Sequence, residues 1–383
     1  MIKMRIVFTS FTYAPKRDGV QNVTQYQAEG LVKLGHEVCV ITSDWHQYSK
    51  TDIINGVRVV RLPAYKYGLW VCGNKKETQR IALEEIQQAD VLICVCVFSF
   101  LDQWILPMFK DIKCRKIGIM HGMHEFGYSK SDFESLRLLL KKTIQNVRWY
   151  YFFRHNWEDI KTYNAMIHLH EKDYSYKYFV SHNYLNNFII YNAVDDRFFL
   201  ENEKCNRVIN VGTFHSNKNQ RKCLEVFYHS DLNDYVLTLV GPEKNAYYNQ
   251  LLSLKEELDD KFGKRNVEFL CGITREETIE LIKSSKIYLL TSDHEHFPIS
   301  LIEAMATGSA FVATDVGVVS SFPGGVVASD FTGLVSELNK MKKNWSRFGE
   351  QGSLFARKSF VRNIQVLKLN NIIKDICSDE YNY

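Results

Sequence analysis

Residues 291–308 read TSDHEHFPISLIEAMATG and follow a short apolar run at 287–290. Pro298 suits the first turn of a helix, where its missing N–H is not needed, and Gly308 suits the residue that ends a helix. The stretch therefore predicts a strand, a loop and a helix in succession, with Glu295 in the loop and Glu303 inside the helix. Such strand-to-helix units are the building blocks of α/β proteins.

The same alternation of short β-branched runs and longer helical patterns extends to both ends of the chain. A first series of strands is predicted at 5–10, 37–42, 57–62, 90–97, 116–120, 165–168 and 188–191. A second series is predicted at 208–211, 235–240, 267–270, 287–290 and 310–313. The polar stretch 195–206 separates the two series and suits a linker. The sequence thus predicts an α/β fold with two doubly wound domains in tandem.

In open α/β sheets, ligands bind outside the carboxyl ends of the strands, so the loop that holds Glu295 is a candidate site. The start of the following helix offers free N–H groups to an anion. Glu295 and Glu303 could then hold two hydroxylated parts of one ligand whose anionic middle lies at the helix start. The alternative is that Glu295 is a solvated loop charge and Glu303 a charge on the helix face.

A second candidate lies at 210–227, NVGTFHSNKNQRKCLEVF, where a strand runs into a turn and a helix. Lys218, Arg221 and Lys222 lie near the start of that helix, where positive charge opposes the helix dipole. A bound phosphate would make these charges favourable. The alternative is that they are solvated side chains of a first turn.

Composition excludes several classes of protein. The 383 residues carry 48 Lys and Arg against 44 Asp and Glu, and a net charge of +4 is too small to indicate a nucleic-acid partner. The longest apolar run, 91–101, has about half of the roughly 20 residues that span a bilayer, so no transmembrane helix is predicted. Nine scattered cysteines without a Cys-x-x-Cys pair are typical of a reduced, cytosolic protein.

Several segments resemble, in order and spacing, the retaining glycosyltransferases of family 4, whose fold is GT-B. EHFPISLIEAMATG resembles the family's signature of two glutamates with seven residues between them. FTSFTYAPKRDGVQNVTQYQAEGLVKLGHEVCVIT at 8–42 resembles its opening strand, glycine loop, helix and GHEV turn. YNAVDDRFF at 191–199, VGTFHSNKNQ at 211–220 and TLVGPE at 238–243 resemble three further segments. The likeness covers nearly the whole chain and is weakest between 45 and 160.

The resemblance implies two Rossmann-like domains that face a central cleft. Residues 1–195 would bind the acceptor, residues 196–360 would bind a nucleotide-diphospho-sugar donor such as a UDP- or GDP-sugar, and residues 361–383 would form a helix that crosses back to the N-terminal domain. The donor is a substrate, and no other cofactor is implied. No Asp-x-Asp pair follows a strand, so no metal site is predicted.

The resemblance also implies a role for each matching residue. Glu303 would accept hydrogen bonds from the ribose hydroxyls, Glu295 would lie at the donor sugar, and Lys218 would neutralise the diphosphate. Further donor contacts are implied at Gly19, Ile273, Phe297, Pro298 and Ile299, with Ile273 beside the base and the others at the phosphates. Arg221 is a candidate for one more donor contact.

Two departures from the family pattern bear on donor binding. Thr213 stands where the family often has an arginine, and either Arg221 or Lys222 could supply the second positive charge, or the site could work with one. His296 replaces the usual glycine and adds a side chain beside the presumed sugar pocket.

A histidine from the N-terminal domain commonly reaches the donor sugar in this family. His121, in the loop HGMHEFGY after the strand at 116–120, matches it, and an imidazole titrates near neutrality. His124 is the second candidate. Both could instead be loop histidines bonded to backbone. The predicted catalytic residues are therefore His121, Lys218 and Glu295.

Residues 136–161, from Leu136 to Lys161, read LRLLLKKTIQNVRWYYFFRHNWEDIK and combine basic with aromatic and aliphatic side chains. Such a helix suits an anionic membrane surface. The alternative is a long helix whose apolar side is core. No recognised nucleic-acid-binding module accompanies it.

The main hypothesis is a retaining glycosyltransferase of the hexosyltransferase type. It would act in bacterial cell-surface glycan synthesis on a lipid-linked or polysaccharide acceptor of lipopolysaccharide or capsule, and it would be cytoplasmic and peripheral at the inner face of the plasma membrane. The alternatives are a soluble enzyme that glycosylates a small metabolite or glucan, and a nucleotide-sugar-binding scaffold without catalysis. A dinucleotide-dependent oxidoreductase is disfavoured, because no G-x-G-x-x-G joins a strand to a helix. The base, donor sugar, acceptor, linkage and oligomeric state stay open.

Overall fold

A computed structural model describes residues 3–16, 19–43, 47–67, 70–97, 100–128, 130–133, 135–200 and 202–378. The chain forms two compact units. The first contains Met1–Ile190 and Gln365–Tyr383, and the second contains Tyr191–Ile364. The division falls before the predicted boundary at 195, because the ring of Tyr191 packs against Phe297 and Phe360, both of the second unit, at centroid distances of 5.9 Å.

The first unit is built on a mainly parallel sheet. Its strands are β1 (Arg5–Thr9), β2 (Glu37–Thr42), β3 (Thr51–Ile54), β4 (Val57–Arg61), β5 (Ala64–Tyr67), β6 (Trp70–Gly73), β7 (Val91–Val95), β8 (Arg115–Ile119), β9 (Ala165–His168) and β10 (Asn187–Ile189). The helices of its first segment, Met1–Ile190, are α1 (Gly19–Lys33), α2 (Lys75–Ile86), α3 (Phe100–Ile105), α4 (Leu136–Ile160) and α5 (Tyr174–Ser181). Within the described residues, the main sheet has the order β10-β9-β8-β7-β1-β2-β4-β3, and β5 and β6 form a separate hairpin.

The second unit repeats this plan with a fully parallel sheet. Its strands are β11 (Cys205–Val211), β12 (Val236–Gly241), β13 (Val267–Cys271), β14 (Ser285–Leu290), β15 (Ala310–Thr314) and β16 (Gly325–Ala328). Its helices are α6 (Gln220–Tyr228), α7 (Ala246–Phe262), α8 (Arg275–Ser284), α9 (Ile299–Ala306) and α10 (Phe331–Ser359), followed by α11 (Arg362–Cys377). The strand order is β13-β12-β11-β14-β15-β16. From β11 the strands are added toward one edge of the sheet as far as β13, and from β14 they are added toward the other edge. The carboxyl ends of β11 and β14 therefore form a topological switch point, the place where open α/β sheets bind ligands.

Helix α11 belongs to the first unit from Gln365 onward. Leu369 and Ile373 are fully buried in the same core cluster as Ile6 and Phe8 of β1 and its neighbours. Asn370 Oδ1 lies 2.9 Å from His36 Nε2 in this core. The last helix is therefore an integral layer of the first unit, although it is the most distant segment in the sequence.

The predicted α/β class is confirmed, with one doubly wound sheet in each unit. Each of the twelve predicted strands is present, with ends shifted by a few residues. The four strands β3, β5, β6 and β16 were not predicted. Residues of β3 and β5 are largely exposed, so these strands lack the buried apolar pattern by which strands are recognised in a sequence.

Candidate active site

Two loops of the second unit meet at its switch point. One follows β11 and contains Lys218 in a short 3₁₀ turn, Ser216–Lys218. The other follows β14 and contains Glu295 just ahead of α9. Since β11 and β14 are neighbours in the sheet, both loops leave the same edge, and two residues 77 positions apart in the sequence become adjacent.

Lys218 and Glu295 form an ion pair, with Lys218 Nζ 2.6 Å from Glu295 Oε1. Ser292 Oγ donates to the same oxygen at 2.7 Å. The Glu295 side chain is only 10% exposed, whereas that of Lys218 is 34% exposed. An ammonium has three N–H donors, so the accessible lysine retains donors for a ligand after it has bound Glu295.

Hydrogen bonds tie the two loops together around Asn219. This residue has φ 48° and ψ 47°, a left-handed conformation that asparagine tolerates better than most residues. Its amide donates to both carboxylate oxygens of Asp293, at 2.9 and 3.1 Å, and its carbonyl accepts from Thr291 Oγ1 at 2.9 Å. Asp293 N also donates to Asn217 O at 2.9 Å. These contacts hold the loop of Lys218 and the loop of Glu295 as one body.

A third loop supports the backbone beneath Glu295. Gly317 follows β15 with φ 54°, and a Cβ at this position would lie 2.2 Å from Glu295 O and 2.6 Å from His296 O. Only glycine fits this approach. Thr314 Oγ1 also donates to Ser292 O at 2.6 Å. The third loop was not predicted as part of the site, and the glycine after a predicted strand was the available signal.

Glu303 lies in the middle of α9 and is 5% exposed. Its carboxylate is paired with the guanidinium of Arg275, the first residue of α8, through both Nη atoms. Burial raises the pKa of Glu303, and the guanidinium of Arg275 opposes this effect. Glu303 is thus a buried carboxylate whose guanidinium partner favours the charged form, the form that accepts hydrogen bonds through both oxygens.

Arg275 was not among the predicted site residues, although Ile273, two residues earlier, was. Ile273 is half-buried. The signal for Arg275 was available, since a basic residue at the start of a helix opposes the helix dipole and needs a local reason. The reason is its pairing with Glu303 of α9. No pattern in the sequence indicated that α8 and α9 are in contact.

The two candidates for the second positive charge have different neighbours. Arg221 is exposed and bonds Glu225 on its own helix at 3.2 Å. Lys222 bonds Asp293 at 3.1 Å and so lies beside the loop of Glu295. Thr213 uses its carbonyl to accept from the Gln220 amide at 3.0 Å. Lys222 is therefore the one of the two whose charge lies beside the loop of Glu295.

The start of α9 corrects one detail of the predicted phosphate contacts. Pro298 occupies the N-cap and the helix begins at Ile299. Pro298 has no N–H, so the donors available in this segment are those of Phe297 and Ile299. The Phe297 ring is buried against Phe322 at 5.3 Å, which limits its contribution to the backbone. The ring of His296 lies 4.9 Å from that of His294.

The remaining predicted residues lie in the first unit. Gly19 is the exposed first residue of α1, and His121 is half-buried in the loop after β8. His124 Nε2 lies 2.7 Å from Asn146 Oδ1 of α4, and its ring stacks on Trp149. Burial lowers the pKa of His124. The contacts of His124 are those of a histidine that fastens its loop to α4, so His121 is the better candidate for a role toward substrate.

Two known protein families match this chain, one in each unit. The family described as glycosyl transferases group 1 matches residues 193–348, and glycosyltransferase family 4 matches residues 17–163. The chain belongs to these GT-B glycosyltransferases. No curated protein sequence gives a significant match.

Solved structures share the fold over nearly the whole chain. Sucrose-phosphate synthase from Thermosynechococcus elongatus has a TM-score of 0.72 at 15% identity and covers 98% of this chain and 99% of its own. Anabaena HepE in complex with UDP and glucose has a TM-score of 0.69 at 12% identity and covers 97% and 100%. The catalytic domain of starch synthase IV from Arabidopsis thaliana, bound to ADP and acarbose, has a TM-score of 0.66 at 14% identity and covers 98% and 100%. At such identities these likenesses establish the fold alone.

Proposed function

We propose that this protein is a retaining glycosyltransferase that transfers a sugar from a nucleotide-diphospho-sugar to an acceptor hydroxyl. The observation that carries the proposal is the Lys218–Glu295 pair at the start of α9, 2.6 Å apart at the switch point of the second unit. A cation beside a helix start suits a diphosphate, and a carboxylate suits sugar hydroxyls. Anabaena HepE and starch synthase IV, which share the fold, were solved with UDP and with ADP.

The chemistry follows from the leaving group. Cleavage of the glycosidic bond leaves negative charge on the diphosphate, and a fixed cation at that position stabilises the transition state more than the ground state. Lys218 supplies the cation. Within the described residues, both contacts of Glu295 fall on Oε1, so Oε2 is the oxygen that can accept from a sugar hydroxyl. The acceptor attacks from the face that the diphosphate leaves, and a departing phosphate oxygen takes its proton, so the anomeric configuration is retained.

This mechanism needs no glycosidase-type pair of acid and nucleophile. Glu295 is engaged by a lysine and a serine, and Glu303 by an arginine, so neither carboxylate is placed as a free nucleophile. No metal or additional cofactor is part of the proposal.

The direct test is product analysis with candidate donors. The protein is incubated with UDP-, GDP- and ADP-sugars, nucleotide release is measured, and the anomeric configuration of the product is read by proton NMR. We expect release from one donor class and retained configuration. An inverted product would overturn the retaining mechanism, and the absence of both nucleotide binding and release would overturn the proposed activity.

For the acceptor, we propose a lipid-linked glycan of bacterial cell-surface synthesis, presented at an anionic membrane. The support comes from α4, which has two apolar faces. Phe153 and Ile160 are buried in the core of the first unit. On another face, Leu136, Leu140, Ile144, Val147 and Tyr151 are between 53% and 72% exposed. Their spacings of three and four place them in one stripe along the helix.

This stripe, hereafter the α4 stripe, is accompanied by the exposed basic residues Arg137 and Lys141. Apolar side chains beside basic ones fit a helix that lies in the headgroup region of an anionic bilayer. The helix that the sequence left open as core or membrane-facing thus has one face buried in the core and a second apolar face that is exposed. None of the helices in the described residues combines the length and apolar character needed to cross a membrane.

The α4 stripe predicts binding to vesicles. We expect co-sedimentation with phosphatidylglycerol-containing vesicles at low salt, and much weaker binding to pure phosphatidylcholine. The triple change Leu140→Ser, Ile144→Ser and Val147→Ser should weaken binding at least about 10-fold, because the loss of even one buried aliphatic side chain costs roughly 1.5–3 kcal/mol. Leu354→Ser, at a residue 62% exposed on α10, is the matched control.

Equal binding by the triple variant and the control would contradict the membrane role of the stripe. Dimerisation that the triple variant abolishes, without vesicle binding by the parent protein, would assign the stripe to a second copy of the chain. A small sugar accepted as efficiently as a lipid-linked one would favour the soluble alternative, in which the acceptor is a metabolite or glucan.

A further inference from the structure

Arg275 pairs with Glu303, and the role that we assign to this pair in nucleotide binding rests on the proposed function. Glu303 is expected to accept hydrogen bonds from the ribose of the donor, yet its carboxylate is already bonded by both Nη atoms of Arg275. The Glu303 side chain is 6% exposed and that of Arg275 is 37% exposed. A ligand that reaches this carboxylate therefore meets the arginine as well.

The arginine is itself held in place. Its guanidinium lies over the ring of Phe198, 5.0 Å from the centroid, and Phe198 is fully buried. The start of α8 is fixed by a capping box, in which Thr274 and Glu277 bond each other's backbone N–H groups. A guanidinium that is stacked on one side and anchored at a capped helix start has little freedom to leave its partner.

We propose that Arg275 is a positioning residue for nucleotide binding, which fixes the Glu303 carboxylate in the orientation that the ribose hydroxyls require. A carboxylate has about four lone-pair sites. A bidentate guanidinium occupies one edge, and the remaining sites can accept from a pair of vicinal hydroxyls. The ligand class is a nucleoside diphosphate with free ribose hydroxyls.

The charge state of Glu303 depends on its surroundings. Four charged or titratable groups interact electrostatically with Glu303. They are Arg275 of α8, Arg362 of α11, Tyr288 of β14, and Asp195, which caps the 3₁₀ turn Asp196–Phe199. Burial and Asp195 raise the pKa of Glu303, whereas Arg275 and Arg362 oppose them. Removal of Arg275 leaves burial less opposed, so the carboxylate is protonated at a higher pH than in the parent protein.

The inference predicts both an affinity and a pH effect. In titrations with UDP, and with GDP and ADP in parallel, Arg275→Ala should raise the Kd of the preferred nucleotide about 10-fold at pH 8, the loss expected for one hydrogen bond to a charged group. Protonated Glu303 has less capacity to accept, so the ratio of variant to parent Kd should increase as pH falls from 8 to 6. Arg275→Lys, which keeps the charge, should restore the parent pH profile and part of the affinity.

A double-mutant cycle separates positioning from direct contact. In a Glu303→Gln background, Arg275→Ala should have little further effect, because the group on which it acts has already lost its charge. Additive effects would mean that Arg275 contacts the nucleotide itself and would overturn the inference. Arg347→Ala, which removes another arginine placed over a phenylalanine ring, is the matched control and should bind as the parent does.

The outcomes distinguish this inference from the proposed function. If Glu303→Gln binds nucleotide as the parent does, the role proposed for Glu303 is wrong. If Glu303→Gln binds weakly and Arg275→Ala binds as the parent does, only the positioning role is wrong. Should Arg275→Ala fail to fold, as judged by thermal unfolding, Arg275→Gln preserves most of the side-chain volume and carries the same expectations.

Discussion

Replacement of Lys218 by alanine is expected to lower kcat by about 10²- to 10³-fold, the usual loss when one fixed group that stabilises transition-state charge is removed. The lysine is 34% exposed and pairs with Glu295 at 2.6 Å, so its loss removes the cation that we propose to face the diphosphate. The donor KM should change much less, because the charge on the leaving group develops during the reaction. Steady-state kinetics with the preferred donor measure both constants.

The matched control for Lys218→Ala is Lys261→Ala. Lys261 is an exposed lysine at the end of α7, and its ammonium lies 5.0 Å from the Phe262 ring centroid. This end of α7 leads into the start of β13, at the opposite edge of the parallel sheet from the loops that follow β11 and β14. This variant should keep the parent kcat. A Lys218→Ala enzyme with parent kcat, or one in which only KM rises, would remove Lys218 from the leaving-group role.

Replacement of Glu303 by glutamine is expected to raise the donor KM by about 10- to 100-fold with a small change in kcat, since it weakens hydrogen bonds to a charged acceptor that the ground state and transition state share. Glutamine preserves the shape of the side chain. Alanine would instead open a cavity at a buried position of α9 and leave the Arg275 guanidinium without its partner, so a binding defect could be confused with a loss of stability.

Glu337→Gln provides the comparison for Glu303→Gln. Glu337 forms an ion pair with Lys340 on α10 at 2.7 Å, so this variant removes an equivalent charge at the surface. Its donor KM should equal that of the parent. If Lys218→Ala and Glu303→Gln both retain near-parent activity, the proposed donor site around Lys218, Glu295 and Glu303 is wrong.

Much of the fold was predictable because its signals are local. Buried parallel strands such as β7, in which all five residues are buried, appear in the sequence as short apolar runs. The exposed strands β3 and β5 carry no such pattern, and their pairing depends on neighbours in space. The division into two units was also predictable in outline, but its position at Ile190 depends on the packing of the Tyr191 ring.

By itself, the sequence determined the strand-and-helix alternation, the family resemblance and the residues Lys218, Glu295 and Glu303, because each belongs to a short motif with a fixed relation to a strand end or helix start. Only the tertiary structure decided which of them touch. The Lys218–Glu295 pair and the Arg275–Glu303 pair join residues 77 and 28 positions apart, and the approach of Gly317 to Glu295 depends on the order of the strands. Local patterns record the preferences of the backbone, whereas these contacts arise when parallel strands bring distant loops to one edge of a sheet.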